Sequence, residues 1–215
     1  MNLTWEIIES AGLKIYQPTT GHRYGEESLA LATFINVKPG QRVVELGSGV
    51  GIISLLIAVQ NNPSRIDAVE LQPSLHEIAK KNVLKNGYEH IVHCINEDYR
   101  SFAQTNKKKY DVVISNPPFL AAGNGRLSPD LERATARHEL NGTIEDLVAA
   151  TYSLLLPSGK FFVVFDCRRN DELEHAASKV GFKESQIKTC DGSVFVLGEF
   201  KKVLNPISNI SLLSR

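Results

Sequence analysis

Short runs of apolar, β-branched residues alternate along the chain with longer stretches in which apolar residues recur every three or four positions. The first pattern is typical of buried strands and the second of helices. Strands and helices in regular alternation form βαβ units, so the sequence predicts a parallel sheet. The predicted strands are residues 42–46, 65–71, 90–95, 110–115 and 160–165, and the predicted helices are residues 51–60, 74–85, 144–156 and 171–180.

The pattern changes after the last of these helices. Residues 186–190 and 193–200 are typical of strands, and Asp191-Gly192 between them is a strong signal for a two-residue hairpin turn. This order resembles the seven-stranded sheet of Rossmann-like methyltransferases, so we expect an α/β fold whose sheet is parallel except for a C-terminal antiparallel hairpin strand. We expect one domain over residues 1–215. It would comprise an N-terminal extension (1–35) with a strand or hairpin near 13–17 and a helix near 26–35, a core (36–202) and a tail (203–215).

Composition restricts the class of protein further. No apolar run reaches the roughly 18 residues that a membrane-spanning helix needs, and the first residues lack the order of a signal peptide, so we expect a soluble, cytoplasmic protein. The three cysteines are far apart, which predicts reduced, buried thiols and no zinc site. With 24 basic and 24 acidic residues, the chain has no bulk charge for coating nucleic acid, although a local basic patch is compatible with this balance. We expect a monomer without a metal.

The run from Glu45 to Gly51 (ELGSGVG) is a strand that enters a glycine-rich turn and opens a helix. Glycines allow a tight turn and a close approach of backbone to ligand, but the turn alone fits NAD or a plain connection equally well. Glu45 favours a ligand with a cationic end, because a carboxylate there repels a pyrophosphate.

Two further acids follow at successive predicted strand ends, where open α/β sheets bind ligands. Glu70 can accept from both hydroxyls of a ribose, although a solvated strand-end carboxylate is the alternative. Asp98 can accept from an adenine amine, with Leu71 or Tyr99 against the ring. An ordinary helix N-cap explains Asp98 nearly as well.

The most specific short motif follows the fourth predicted strand as Asn116-Pro117-Pro118-Phe119. An aromatic amine is a poor nucleophile because its lone pair is delocalised into the ring. Two acceptors, the Asn116 side-chain oxygen and the Pro117 carbonyl, can hold the two amine hydrogens and free that lone pair. Prolines fix the backbone of such a turn and carry no competing N–H, and Phe119 offers a face for stacking.

The combination of ELGSGVG with the later Asn-Pro-Pro-Phe motif resembles the sequences of amino-methyltransferases that modify adenine, guanine or glutamine amides. Three more stretches narrow the resemblance to the bacterial tRNA adenine-N6 methyltransferases that modify the adenine beside the anticodon of a valine tRNA: residues 21–32 (GHRYGEESLALA), 125–129 (GRLSP) and 136–140 (ARHEL). Two departures are Glu27, where Asp is commoner, and Phe119, where Tyr is commoner; both leave the exact substrate open.

The resemblance implies S-adenosylmethionine as cofactor and a tRNA adenine as acceptor, held by residues Asn116 to Phe119. It places Tyr24 near the methionine end of the cofactor. With the residues argued above, the predicted cofactor set is Tyr24, Glu45, Gly47, Ser48, Gly49, Gly51, Glu70, Leu71, Asp98, Tyr99 and Asn116.

The stretch after the motif carries basic residues where an acceptor must enter, namely Arg126, Arg133, Arg137 and His138. Arg133 and Arg137 share a face if the stretch is helical. Such a face can contact RNA phosphates or be an ordinary solvated surface, and the two interpretations are equally good. Two other functions also stay open. The same turn can hold a glutamine side chain of a protein, and a cofactor-binding domain can serve as an inactive scaffold.

Overall fold

A computed structural model describes residues 2–117, 142–189 and 194–203. Within these residues the strands are β1 (Leu3–Ile8), β2 (Leu13–Pro18), β3 (Arg42–Leu46), β4 (Arg65–Glu70), β5 (Val92–Asn96), β6 (Tyr110–Ser115), β7 (Leu155–Asp166), β8 (Phe182–Thr189) and β9 (Phe195–Lys202). The α-helices are α1 (Glu26–Phe34), α2 (Ile52–Asn61), α3 (Pro73–Asn86), α4 (Tyr99–Thr105), α5 (Ile144–Leu154) and α6 (Asn170–Val180), with short 3-10 turns at Glu9–Ala11 and Cys167–Arg169.

Seven strands form one sheet in the order β5-β4-β3-β6-β7-β9-β8. The first five are parallel, and β9 lies antiparallel between β7 and β8, which confirms the predicted fold class. The strand order reverses between β3 and β6, because the chain leaves β3 in one direction and returns on its other side. The carboxyl ends of β3, β4 and β6 therefore meet around one crevice, which is where such sheets bind ligands.

Both faces of the sheet are buried, as the near-continuous apolar strands require. Along β3, Val43 packs with α2 and α3 residues on one face, and Val44 packs with α5 residues on the other. Helix α2 is buried on most of its surface, so its sequence shows a continuous apolar run instead of a polar face.

Some boundaries differ from the predicted ones. Helix α5 ends at Leu154 and β7 begins at once, because Leu155 pairs with Tyr110 before a register shift. Helix α4 and strand β1 were not predicted, and β8 starts four residues early. The tail from residue 204 and the Asp191-Gly192 turn lie outside the described residues. Cys167 is exposed and Cys94 is only partly buried, so the prediction of buried thiols was wrong for Cys167 and is met only in part by Cys94. Cys190 lies outside the described residues.

The N-terminal hairpin β1–β2 is attached to α3 by two asparagine side chains. Each amide pairs with both the N–H and the C=O of one β2 residue, at 2.7 to 2.9 Å: Asn82 with Tyr16 and Asn86 with Lys14. These contacts replace a neighbouring strand along that edge of β2. The hairpin is thereby held against α3, while α1 packs separately on α2 and β7.

In the part of the chain that the structure describes, no helix is both long and apolar enough to cross a membrane.

Candidate functional site

The glycine turn after β3 adopts a backbone that other residues rarely take. Gly47, Gly49 and Gly51 have φ of +74°, +55° and +82°. A Cβ at Gly49 would lie 3.5 Å from the His22 ring, and one at Gly51 would lie 3.3 Å from the Ala79 Cβ. Left-handed backbone costs an L-residue about 1–2 kcal/mol. The backbone conformation therefore favours glycine at all three positions, and the close approach of Ala79 adds to this at Gly51.

Glu70 holds the same turn from the end of β4. Its carboxylate accepts the N–H of Gly49 through Oε2 and the N–H of Gln72 through Oε1, each at 2.8 Å. The side chain is buried, with 5% exposed. These backbone donors fix the carboxylate at the wall of the crevice.

A large cleft opens at the carboxyl ends of β3, β4 and β6. It holds about 880 Å³ of space, counting the open volume at its mouth. Its walls carry eight of the residues predicted from sequence: Gly47, Gly49, Glu70, Leu71, Asp98, Tyr99, Asn116 and Pro117. The lining combines these polar groups with the apolar side chains of Leu46, Val69 and Leu75, as is usual for small-molecule sites.

A smaller cavity of about 280 Å³, again counting open space, adjoins this cleft, and its lining includes Tyr24, Ser28, Glu45 and Ser48. Glu45 is almost fully buried and accepts from the backbone N–H and the hydroxyl of Ser54 in α2. Burial raises the pKa of Glu45 to about 8, and the nearby Glu70 carboxylate adds to this, while the Ser54 hydrogen bonds oppose it. The cavity thus offers a carboxyl that ionises readily only beside a positive charge.

Asn116 lies where the two cavities meet, since it lines both of them. The strand end before it is anchored by the Ser115 hydroxyl, which donates to the Leu46 carbonyl at 2.9 Å. The Asn116 Nδ2 donates to Ser28 Oγ in α1, also at 2.9 Å. The amide oxygen is then the end of the side chain that remains to accept a hydrogen from a bound group.

Asp98 is the N-cap of α4, and its side chain accepts from the Arg100 N–H at 2.8 Å. The Arg100 guanidinium pairs with the same carboxylate and lowers its pKa, with the backbone hydrogen bond adding to the effect. Asp98 nevertheless lines the cleft. The capping interpretation is therefore correct, and the predicted contact with adenine stays a prediction.

Sequence reasoning missed several residues of the site. His22, from the segment before α1, lines both cavities, and Gly142, Thr143, Ile144 and Leu147 line the large cleft from α5. A signal for the α5 start was present, because Thr143 and Asp146 form a capping box. Gly51 lies at the start of α2. Pro118, Phe119, Arg126, Arg133, Arg137 and His138 lie outside the described residues.

Polar atoms inside the cavities test whether an S-adenosyl ligand suits them. Among the described residues, Ser48 Oγ is buried and has no hydrogen-bond partner. It shares the smaller cavity with Glu45, so a ligand ammonium and carboxylate there would satisfy a buried acid and a buried hydroxyl. Glu70, which accepts from Gly49 of the glycine turn, lines the large cleft, and its predicted contact with a ribose stays a prediction. The residues present fit the ligand, and no group of His, Cys, Asp or Glu able to hold a metal occurs among those described.

The fold and the two joined cavities define the class of Rossmann-like methyltransferases. The methyltransferase small domain model matches residues 23–187. The chain is 30% identical over 142 residues to the tRNA1(Val) (adenine(37)-N6)-methyltransferase of Flavobacteriaceae bacterium (strain 3519-10), covering 66% of this chain and 58% of that protein. It is also 30% identical to the protein of that name from Yersinia pseudotuberculosis, over 82% of this chain and 71% of the relative. The chain belongs to the methyltransferase small domain family and, within it, to the family of these tRNA adenine-N6 methyltransferases.

Solved structures agree on the fold. TrmN from Thermus thermophilus superposes with a TM-score of 0.60 at 20% identity, over 82% of this chain and 48% of that one. A methyltransferase from Pyrococcus furiosus superposes with a TM-score of 0.65 at 19% identity, over 90% of each chain.

Proposed function

We propose that the protein transfers a methyl group from S-adenosylmethionine to the exocyclic amine of an adenine in tRNA, in the cytoplasm. The observation that carries this proposal is the position of Asn116, whose amide lies between the cleft with Glu70 and the cavity with Glu45. One ligand with its centre beside Asn116 would place its nucleoside end in the cleft with Glu70 and its amino acid end in the cavity with Glu45.

The cofactor would be held from its two ends. Glu45, Ser48 and Tyr24 would contact the methionine end, and Glu70 the ribose hydroxyls. Leu71, Asp98 and Tyr99 surround the remaining space, where an adenine ring fits. When bound, the cofactor supplies an electrophilic methyl group on a sulfonium. A bound analogue in one structural neighbour, the Pyrococcus horikoshii TYW2 complex with MeSAdo, supports this class of ligand.

Asn116 and Pro117 would act on the acceptor. The Asn116 Oδ1 accepts one hydrogen of the amine and the Pro117 carbonyl accepts the other, which draws the nitrogen towards tetrahedral geometry and frees its lone pair. An asparagine is not a base, so the contribution is orientation and electrostatic complementarity, and the proton leaves to solvent after transfer. Pro118 and Phe119, outside the described residues, would complete the platform for the planar base.

RNA as the acceptor is supported by the two relatives, which are named as methyltransferases of adenine 37 in tRNA1(Val). The amine is unreachable inside a stacked helix, so the adenine must be unpaired or flipped out. Arg126, Arg133, Arg137 and His138 are proposed to contact the RNA backbone. This part of the proposal rests on sequence.

The test is methyl transfer from labelled S-adenosylmethionine to total tRNA and to total protein, followed by nucleoside analysis. We expect label in N6-methyladenosine of tRNA. Label in glutamine of a protein would identify a protein amide as the acceptor instead of RNA. Label in neither fraction would favour an inactive scaffold.

Variants of Asn116 test whether its side-chain oxygen holds the reacting amine. Asn116→Ala should lower the rate by about a hundred- to a thousandfold, as is typical when a positioned polar group on developing charge is removed. Asn116→Asp, which keeps an acceptor of the same shape, should retain more activity. A folded, cofactor-binding Asn116→Ala variant with the wild-type rate would contradict the mechanism.

A further inference from the structure

The contact between Asn116 and Ser28 joins the reaction site to the N-terminal segment. Ser28 lies in the first turn of α1 and has only 3% of its surface exposed. Its Oγ accepts a hydrogen bond from Asn116 Nδ2 at 2.9 Å across 88 residues of chain. Its own N–H donates to the Gly25 carbonyl at 3.2 Å, so the helix backbone fixes where the hydroxyl lies.

An asparagine side chain has two chemically opposite ends of nearly the same shape. The oxygen end accepts hydrogen bonds and the nitrogen end donates them. Rotation by half a turn exchanges the two ends with little change in the space filled. Only the oxygen end suits an amine whose hydrogens must be held, because the nitrogen end would direct its own hydrogens against them.

We propose that Ser28 is a positioning residue that selects the productive orientation of the Asn116 amide. In the structure Asn116 Nδ2 donates to Ser28 Oγ, so the nitrogen end lies towards α1 and Oδ1 is left for the acceptor. A hydroxyl can also donate, so the selection requires that Ser28 acts as the acceptor in this pair, which the variants below test. This inference rests on the proposed function, since it concerns the group that holds the reacting amine. It also gives the N-terminal segment a role in the reaction in addition to its packing.

Two variants separate this role from a structural one. Ser28→Ala removes the acceptor and leaves the backbone and nearly all the volume of the side chain. Thr33→Ala is the control, because Thr33 lies on the same helix and is exposed, and its hydroxyl donates to the Leu29 carbonyl within α1. Both are first compared by thermal melting with the wild-type protein.

Loss of one neutral hydrogen bond corresponds to a change of up to about tenfold. We expect Ser28→Ala to lower kcat for tRNA methylation by about three- to tenfold at saturating cofactor, with KM for tRNA changed less than twofold. Cofactor affinity is measured separately, because Ser28 also lines the smaller cavity. Thr33→Ala should retain the wild-type kcat. An unchanged kcat in Ser28→Ala would overturn the proposal, and so would a loss that appears only as a higher KM.

Asn116→Asp supplies a double-mutant cycle. A carboxylate has an oxygen at both ends, so its orientation no longer matters. Ser28→Ala should therefore reduce kcat much less in the Asn116→Asp background than in the wild type. Equal losses in the two backgrounds would show that Ser28 acts on something other than the amide orientation.

Nuclear magnetic resonance provides a readout that does not depend on the acceptor. The Asn116 side-chain amide can be assigned in ¹⁵N-labelled protein by its absence from Asn116→Asp. Ser28→Ala should shift this resonance and Thr33→Ala should not. A resonance unmoved by Ser28→Ala contradicts the positioning role. Absence of tRNA methylation by wild-type protein, with the resonance shifting as expected, contradicts the proposed function instead.

Discussion

Replacing Glu45 with glutamine should change how the stability of the protein depends on pH. The carboxyl is fully buried, and its pKa is raised from 4.5 to about 8, chiefly by loss of solvation. Below pH 4.5 it is protonated in both the folded and the unfolded chain. Between these values the unfolded chain has lost the proton and the folded chain keeps it, so the free energy of unfolding falls as pH rises. Above about pH 8 both states are ionised and the loss is complete.

The size of the effect follows from the same two values. Each tenfold difference in proton affinity corresponds to about 1.36 kcal/mol, so Glu45 should remove up to about 5 kcal/mol of stability between pH 4.5 and 8. Glutamine has the same shape, can accept from Ser54 and cannot ionise. Urea unfolding from pH 5 to 9 should therefore show the wild type losing several kcal/mol relative to Glu45→Gln. A pH-independent difference would mean that folded, ligand-free protein already holds Glu45 ionised, and would refute the reasoning.

Cofactor binding should show the opposite dependence on pH. An ammonium beside Glu45 favours the ionised carboxylate, so affinity for S-adenosylmethionine should rise with pH up to about 8, by up to about tenfold per unit, with proton release. Calorimetry in buffers of different ionisation enthalpy measures both quantities. The rise should be absent in Glu45→Gln and present in Glu77→Gln, an exposed α3 carboxylate used as control. A rise retained by Glu45→Gln would assign the dependence to another group.

Two further predictions concern the ends of the site. Glu70→Ala should weaken S-adenosylmethionine binding by about ten- to a hundredfold, because a charged hydrogen bond contributes roughly 1.5–3 kcal/mol. An unchanged affinity by calorimetry in a folded variant would contradict the assignment of Glu70 to the ribose. Because Glu70 also accepts from Gly49 and Gln72, Glu70→Gln is the companion that keeps one oxygen. Arg133→Ala with Arg137→Ala should weaken tRNA binding at constant cofactor affinity and reduce the salt dependence by about one unit per phosphate contact, and an unaltered slope would indicate a solvated face.

The parallel core could be predicted because its strands carry strong local signals. The boundaries of β3 and β6 agree with the sequence to the residue, since β-branched runs end abruptly at Gly47 and Pro117. Helix α4 was missed because its seven residues bury only Phe102 and Ala103, too few to produce a helical period. The start of β7 was missed because Pro157-Ser158-Gly159 is typical of a turn, whereas here it is a bulge inside a strand, with Ser158 at a φ of +64°.

The site was predictable where it follows a strand end and unpredictable where distant segments enter it. Glu45, Glu70 and Asn116 each follow directly from the parallel sheet, because the carboxyl ends of its strands share one edge. Three such residues are His22 before α1, Ser28 in α1 and Thr143 at the N-cap of α5. No local sequence pattern indicates that these side chains line a ligand site. Their positions depend on packing between elements that are far apart in the chain.

Asn82 is the residue that makes this packing specific. It is fully buried, and its amide bonds the N–H and C=O of Tyr16 in β2 and also donates to the Val50 carbonyl in the glycine turn, at 2.9 Å. One side chain on α3 thus ties the N-terminal hairpin to the turn that shapes the ligand cleft. Because β2 leads directly into the segment with His22 and Tyr24 and on to Ser28, fixing the edge of β2 also fixes where those residues enter the site. The smaller cavity is lined by the end of β3, the glycine turn, the start of α2 and Asn116, and the N-terminal segment adds His22, Tyr24 and Ser28.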